Sequence, residues 1–386
     1  MIKSVYLKVF LQNYVFSAFS VINKIFRHRS DVILLYSNMG FKDNVKAVFD
    51  YIIENRLNDK YKILCSINDY DKYKTANYRN VKFISNTKGV LCYFRAGFVF
   101  YCFGKIPIEV GKNQKVVQMW HGCPYKAPDE GMLKGHSFKK NYYTYVISSS
   151  NHFVPVWSYA FSVPQEKVVV TGIPRNDVLY KNNPHYDFGN YKRLIIWTPT
   201  FRQSKTLGYQ NVTGSSHLVP VVDISDYARL DAYLKERDVK IIVKLHPMQN
   251  LDDYHLIETS NFILLSHADF VRRGMDLYKF LPQCDAMITD YSNIFFDFLL
   301  LDRPIGFTED DLEDYGDKRG FIVDNPQAYK PGMRIKTIED LFRFIDSVTE
   351  GRDDYKADRD RVNGWANDYR DGQFCKRVLD SVGICQ

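Results

Sequence analysis

From Val32 onward the chain alternates between short apolar runs and helix-length stretches, and each run stops abruptly at small or polar residues. Val32–Tyr36 gives way to Ser37-Asn38, Tyr61–Cys65 to Ser66-Ile67-Asn68, Val81–Ile84 to Ser85-Asn86, and Phe98–Phe103 to Gly104. Val116–Trp120 stops at His121-Gly122, Tyr145–Ile147 at three serines, and Lys167–Val170 at Thr171-Gly172. Runs that are apolar throughout predict strands buried on both faces. Helix-length segments between them, such as Asn44–Asn55, predict βα units on a parallel sheet.

The same grammar restarts after the polar, Pro- and Gly-containing stretch 182–191, which reads as a linker. Here the expected strands are Leu194–Trp197, Lys240–Leu245, Phe262–Leu265, Ala286–Thr289 and Pro304–Phe307. Their carboxyl ends carry Thr198-Pro-Thr-Phe-Arg202, His246-Pro247, Ser266-His267, Thr289-Asp-Tyr-Ser-Asn293 and Thr308-Glu309-Asp310. Doubly wound sheets bind ligands outside the carboxyl ends of their strands, so these polar ends are expected to line one crevice. Gln203–Val222 is expected to be a loop on that rim.

Ala286–Phe307 is the stretch around which this half is organised. An apolar run ends at Thr289 and Asp290, Ser292 stands where a helix N-cap would stand, and apolar residues continue until Pro304 forces an exit. A helix start offers unpaired N–H groups and partial positive charge, so Ser292 and Asn293 would complete a phosphate cradle that needs no lysine. An ordinary capped helix would read the same way.

Residues 2–29 read as a helix, with Leu7, Leu11, Tyr14, Ala18, Val21, Ile22 and Ile25 on one face. Asn13, Ser17, Ser20, Lys24 and Arg27 share the other. Val9–Asn23, the longest uncharged run, is broken by polar residues and falls short of the roughly 20 apolar residues a membrane span needs. Its centre is too polar for a cleaved signal peptide. Lys3, Lys8, Lys24, Arg27 and Arg29 all precede the first acidic residue, so part of the net charge of +7 is concentrated here. Two readings stay open: a helix lying on an anionic membrane, or one packed on its own domain.

With 386 residues, 45% of them hydrophobic, the chain exceeds the roughly 250 to 300 residues at which single cores stop growing, so two domains are expected. The boundaries read as 1–30 for the amphipathic helix, 31–181 for an acceptor-side domain, 182–191 for the linker and 192–352 for a donor-binding domain. Residues 353–386 form helices that close the second domain or cross back to the first. Seven cysteines, none in a Cys-x-x-Cys pair, argue for reduced cytosolic thiols, not a disulfide framework or a metal site.

Two similar α/β domains facing a cleft describe the GT-B architecture, and the motifs make the resemblance specific. Gln118-Met-Trp-His-Gly-Cys-Pro-Tyr-Lys126 resembles the Trp-His-Gly-x-Pro-x-Lys segment of the CDP-glycerol glycerophosphotransferase family of teichoic acid and capsule synthesis. Gly172-Ile-Pro-Arg-Asn-Asp177, Thr198-Pro-Thr-Phe-Arg202, Lys244-Leu-His-Pro247 and Thr289-Asp-Tyr-Ser-Asn293 resemble its remaining blocks, in the family's order. Paired serines usual after Asp-Tyr are here Ser292-Asn293.

The resemblance implies transfer of an alditol phosphate from CDP-glycerol or a related CDP-alditol to a hydroxyl of a lipid-linked or polymeric glycan acceptor. CMP would be released at the cytoplasmic face of a bacterial cell membrane. Phosphoryl transfer asks mainly for positioning, charge neutralisation and a base. His121, held ahead of Gly122 and Pro124, is the candidate base, and His246 would face the donor pyrophosphate and stabilise the leaving CMP. Arg202 can grip phosphate bidentately, with Ser292, Asn293, Asp290 and Thr289 as further donor-phosphate residues and Lys244 in support. Arg175 and Asp177 are expected to pair with each other structurally, and Asp290 either orients a hydroxyl or caps its turn.

Asp69-Tyr-Asp71 fits a metal-nucleotide pattern but lies outside the family blocks and is taken as solvated charge. No metal, cofactor or nucleic acid is expected. The competing readings are a GT-B glycosyltransferase using a nucleotide sugar, and an assembly subunit that kept the cleft but not turnover.

Overall fold

The computed structural model describes residues 16–125, 141–200, 218–246, 249, 259–309, 321–323 and 325–385. The chain divides into two compact units: unit 1 comprises Met1–Cys123, Pro128–Tyr180 and Ala366–Gln386, and unit 2 comprises Pro124–Ala127 and Lys181–Trp365. Each is an α/β unit built on a wholly parallel sheet.

Unit 1 carries strands β1 (Arg29–Ser37), β2 (Lys62–Ile67), β3 (Val81–Ile84), β4 (Ala96–Tyr101), β5 (Lys115–Gln118), β6 (Tyr145–Ser148) and β7 (Val168–Val170). They lie in the order β3-β2-β1-β4-β5-β6-β7. The apolar runs become strands because both faces are covered: Ile33, Leu34 and Leu35 are all buried. Helix α1 spans Phe16–Ile25, α2 Asp43–Glu54 and α3 Asn86–Tyr93. In α2, Val45, Val48, Phe49 and Ile52 recur at helical spacing and enter the core. Cys375, Val378 and Leu379 of the helix Phe374–Asp380 join that same core, so the end of the chain belongs to unit 1.

Two expectations are corrected here. The amino-terminal helix ends at Ile25 and strand β1 begins at Arg29, so residues 26–29 are not helical. More important, α1 does not bury the face expected to be apolar: Val21 and Ile25 are 61% and 79% exposed, whereas Ser20 and Asn23 are buried, and Lys24 and Arg27 of the expected polar face stay exposed. Leu7, Leu11 and Tyr14 lie outside the described residues. The cause is a buried polar network. Asn23 donates to Gln114 Oε1 at 2.8 Å and to the Glu109 carbonyl at 2.8 Å, and its Oδ1 lies 3.0 Å from His28 Nε2. Ser20 Oγ accepts the Glu109 N–H at 3.0 Å. Leaving such groups unpaired in the interior costs more than exposing a few aliphatic side chains.

Unit 2 carries β8 (Arg193–Thr198), β9 (Val239–Lys244), β10 (Phe262–Leu265), β11 (Ala286–Thr289), β12 (Ile305–Thr308) and β13 (Met333–Ile335) in the order β10-β9-β8-β11-β12-β13. The edge strand β13 was not anticipated, since three residues after Pro331-Gly332 offer no readable run. The helix Ile338–Glu350 starts at a capping box, with Thr337 and Asp340 each accepting the other's backbone N–H. Stretch 182–191 is not a free linker: Phe188 is buried against Phe280, and Gln283 donates to the Tyr186 carbonyl and the Tyr191 hydroxyl. Of the expected rim loop, Leu218, Val219 and Val222 are buried, and 203–217 lie outside the described residues.

Strand order reverses between β1 and β4 in unit 1, and between β8 and β11 in unit 2. At such points loops diverge and leave a crevice at the carboxyl ends. Among the described residues no helix is long and apolar enough to cross a membrane. The inverted packing of α1 has a direct test: Asn23→Ala should destabilise unit 1 by about 1–3 kcal/mol, whereas Val21→Asp should stay within about 0.5 kcal/mol of the parent in urea denaturation.

Candidate active site

In unit 1 the chain leaves β5 at Gln118 and makes a tight reversal through Met119, Trp120, His121 and Gly122. Trp120 has φ of 47° and Gly122 φ of 134°, so the histidine sits between two left-handed residues, one of which has a large side chain. Such backbone costs on the order of 1–3 kcal/mol per non-glycine residue and persists only where surroundings over-determine it. They do here. Asn44, fully buried at the start of α2, donates to the Trp120 carbonyl at 2.8 Å and the Met119 carbonyl at 3.2 Å, while its Oδ1 accepts the Arg175 N–H at 2.9 Å. One side-chain amide therefore ties the ends of β1, β5 and β7 together.

The His121 ring lies between the Trp120 indole, 4.2 Å away between centroids, and the Phe103 ring at 5.4 Å. Burial between aromatics lowers its pKa below the free value of 6.5; the Asp43 carboxylate opposes that shift and Arg175 adds to it. The result is an imidazole that is neutral at neutral pH, held at one orientation and able to accept a proton. Asp43 itself has φ of 60° and is ion-paired to Arg175 at 2.9 Å, with both side chains largely buried.

The expected Arg175–Asp177 pair is corrected by this geometry. Arg175 turns to Asp43, and Asp177 accepts the backbone N–H groups of Phe374 at 2.7 Å and Cys375 at 2.9 Å, fixing the start of the carboxyl-terminal helix. Gly172, with φ of 77°, allows that approach, because a Cβ there would meet the Phe374 ring at 2.3 Å. Lys105, which carried no sequence signal, follows Phe103 in the loop after β4. Its ammonium stands 4.5 Å from the Tyr142 ring, and burial brings its pKa down to about 8.

In unit 2 the loops after β8 and β11 meet at the switch point. Asp290 is fully buried and accepts from the Thr200 N–H at 2.8 Å, the Thr200 hydroxyl at 2.6 Å and the Tyr291 N–H at 2.5 Å. Thr289, equally buried, donates to the Thr198 carbonyl at 2.9 Å. Both side chains hydrogen-bond within the protein and hold the turn, which for Asp290 is the capping alternative. Ser292 and Asn293 are half-buried at its tip.

Ser292 is not the cap. Asn293 occupies the N-cap position of a helix of five residues, Ile294–Phe298, which passes into a tighter turn over Leu299–Leu301. So short a helix has little dipole, and what the turn offers is local N–H, hydroxyl and amide groups. Lys244 ends β9 and His246 follows it, both half-buried, with the Lys244 ammonium 5.5 Å from the Phe270 ring. Arg202 lies outside the described residues.

Sequence reasoning missed the group behind the turn. Lys330 and Glu309, both buried, pair at 2.8 Å; Arg334 approaches the same carboxylate at 3.3 Å, and the Lys330 ammonium lies 4.6 Å from the Tyr291 ring. Burial lowers the Lys330 pKa and Glu309 counters it. Glu309 looked like a rim residue because strand-end acids commonly are, and nothing local marks Lys330. Asp69 accepts the Phe41 N–H at 3.1 Å, and among the described residues no group of three or more His, Cys, Asp and Glu could hold a metal ion. Because the Asp43 carboxylate favours the imidazolium, Asp43→Asn should move the NMR titration of His121 to lower pH; an unchanged midpoint would put Asp43 out of electrostatic reach.

The sequence matches the family CDP-Glycerol:Poly(glycerophosphate) glycerophosphotransferase over residues 18–383. It is 27% identical to the teichoic acid ribitol-phosphate primase of Bacillus spizizenii, over 73% of this chain and 72% of that one. It is 24% identical to the teichoic acid glycerol-phosphate transferase of Staphylococcus aureus, over 97% of this chain and 98% of that one. Among solved structures, a variant of the wall teichoic acid polymerase TagF superposes with a TM-score of 0.71 at 19% identity, covering 98% of this chain and 94% of that chain, a likeness of fold. With its strand-end histidines set in those folds and a match running over nearly its whole length, the chain belongs to the CDP-glycerol:poly(glycerophosphate) glycerophosphotransferase family and is a transferase of that type.

Proposed function

We propose that the chain transfers glycerol phosphate, or a related alditol phosphate, from a CDP-linked donor to a hydroxyl of a lipid-linked or polymeric glycan acceptor. The product would be a phosphodiester of a teichoic acid or capsule-type polymer, with CMP released. The observation that carries this reading is the neutral His121 on its strained strand-end reversal, inside the block that resembles the family's His-Gly segment. The two parallel sheets support assignment to the GT-B class. Work at the cytoplasmic membrane face, by a peripheral protein, completes the proposal.

In this mechanism His121 takes the proton of the acceptor hydroxyl as its oxygen attacks the phosphorus bearing the alditol. The new O–P bond forms in line with cleavage of the pyrophosphate bond, and the electron pair leaves on CMP. His246, as a hydrogen-bond donor, stabilises that leaving phosphate, with Ser292, Asn293, Lys244 and Arg202 supplying further donors. Thr289 and Asp290 act one step back, by fixing the turn. No metal ion is given a role in these steps.

Incubation with CDP-glycerol, CDP-ribitol and lipid-linked acceptors, read by product mass and phosphorus NMR, tests the reading. A new phosphodiester is expected, and a glycosidic product without one would sink it. His121→Ala should lower kcat/KM by about 10²- to 10⁴-fold with the protein still folded. The acid limb of the pH profile should lie below 6.5, because burial lowers the His121 pKa and the base is lost only as pH falls through it.

A further inference from the structure

At the amino ends of the strands in unit 1, the edge opposite to His121, a groove of about 480 Å³ opens between the end of α1, the end of α3 and the first residues of β1 and β2. Phe26, Leu91 and Phe94 contribute apolar walls, and Arg29, Lys62 and Arg95 stand around them. Arg29 is already paired with Asp31 at 2.6 Å. Lys62 and Arg95 are exposed; the Asp31 carboxylate attracts Lys62 from beyond salt-bridge distance, and neither cation forms a salt bridge among the described residues. Leu91 is 70% exposed, and beside the groove α1 presents Ile22 and Ile25 to solvent, the residues left outside by the inverted packing of that helix.

We propose that this groove binds an anionic glycerophospholipid of the membrane, its phosphate between Lys62 and Arg95 and the start of an acyl chain against Phe26 and Leu91. The volume falls within the roughly 300–1,000 Å³ of small-ligand pockets. Unpaired cations beside protruding aliphatic side chains suit an interface where phosphate and hydrocarbon lie a few ångströms apart. Charge complementarity selects the anionic lipid. The apolar walls, which a free phosphate or an acidic peptide would leave in water, select a lipid over either. This deepens the peripheral-membrane reading above by placing a lipid contact on the folded unit, in addition to the basic residues Lys3 and Lys8.

The test is flotation of the full chain with vesicles of phosphatidylglycerol and phosphatidylcholine, against phosphatidylcholine alone. Binding to the anionic vesicles only is expected. Neutralising both cations, in Lys62→Gln/Arg95→Gln, should weaken it about thirtyfold. Leu91→Asp should weaken it as well, with thermal melting unchanged in both. Excess glycerol 3-phosphate or poly-glutamate should not compete at equal ionic strength, and competition by either would overturn the lipid assignment. Undiminished binding by the groove variants, with loss in Lys3→Gln/Lys8→Gln, would overturn the groove and leave membrane association standing. Failure of the parent chain to bind anionic vesicles would overturn both, while CMP release with a soluble acceptor in the same preparation would keep the transferase reading.

Discussion

Each unit depends on one buried polar side chain that collects hydrogen bonds from the ends of separate strands. In unit 1 it is Asn44, which holds the carbonyls of Met119 and Trp120 and the N–H of Arg175. In unit 2 it is Asp290, which holds Thr200 twice and Tyr291 once. Parallel strands end in loops with unpaired backbone groups, and a crevice at a switch point would leave them to water. A satisfied amide or carboxylate closes those loops beside His121 in unit 1 and Ser292 in unit 2.

That arrangement accounts for two strained positions. Left-handed backbone at Asp43 and Trp120 is unfavourable by itself, and both residues adjoin the contacts that Asn44 makes. The same tension sets the electrostatics: His121 is desolvated between aromatic rings, yet an ion pair, Asp43–Arg175, stands close enough to act on it from both signs. In unit 2 the Lys330–Glu309 pair sits behind the turn, its ammonium over Tyr291, so the half-buried tip rests on a fully buried charged layer. A buried pair of this kind is weak evidence for stability and better evidence for a fixed arrangement.

The inverted packing of α1 follows from the same rule. An amphipathic pattern assigns the apolar face inward only when the partner surface is apolar. Here the partner is Gln114 and the Glu109 backbone, so Asn23 and Ser20 turn inward and the aliphatic residues are displaced to the surface beside the basic groove.

What the sequence determined by itself was local or block-like. Continuous apolar runs specified nearly all the strands, because strands buried on both faces need no polar alternation, and the ordered motif blocks carried the family. The tertiary structure alone decided the partners of charged residues: Arg175 chose Asp43, 132 positions away, and Asp177 chose the Phe374 N–H, 197 away. It also decided that Asp290 and Thr289 brace the turn, and which face of α1 is buried. Hydrophobic burial is written in periods of a few residues, whereas the choice of a hydrogen-bond partner depends on which loops the finished sheet brings together, and no period along the chain encodes that.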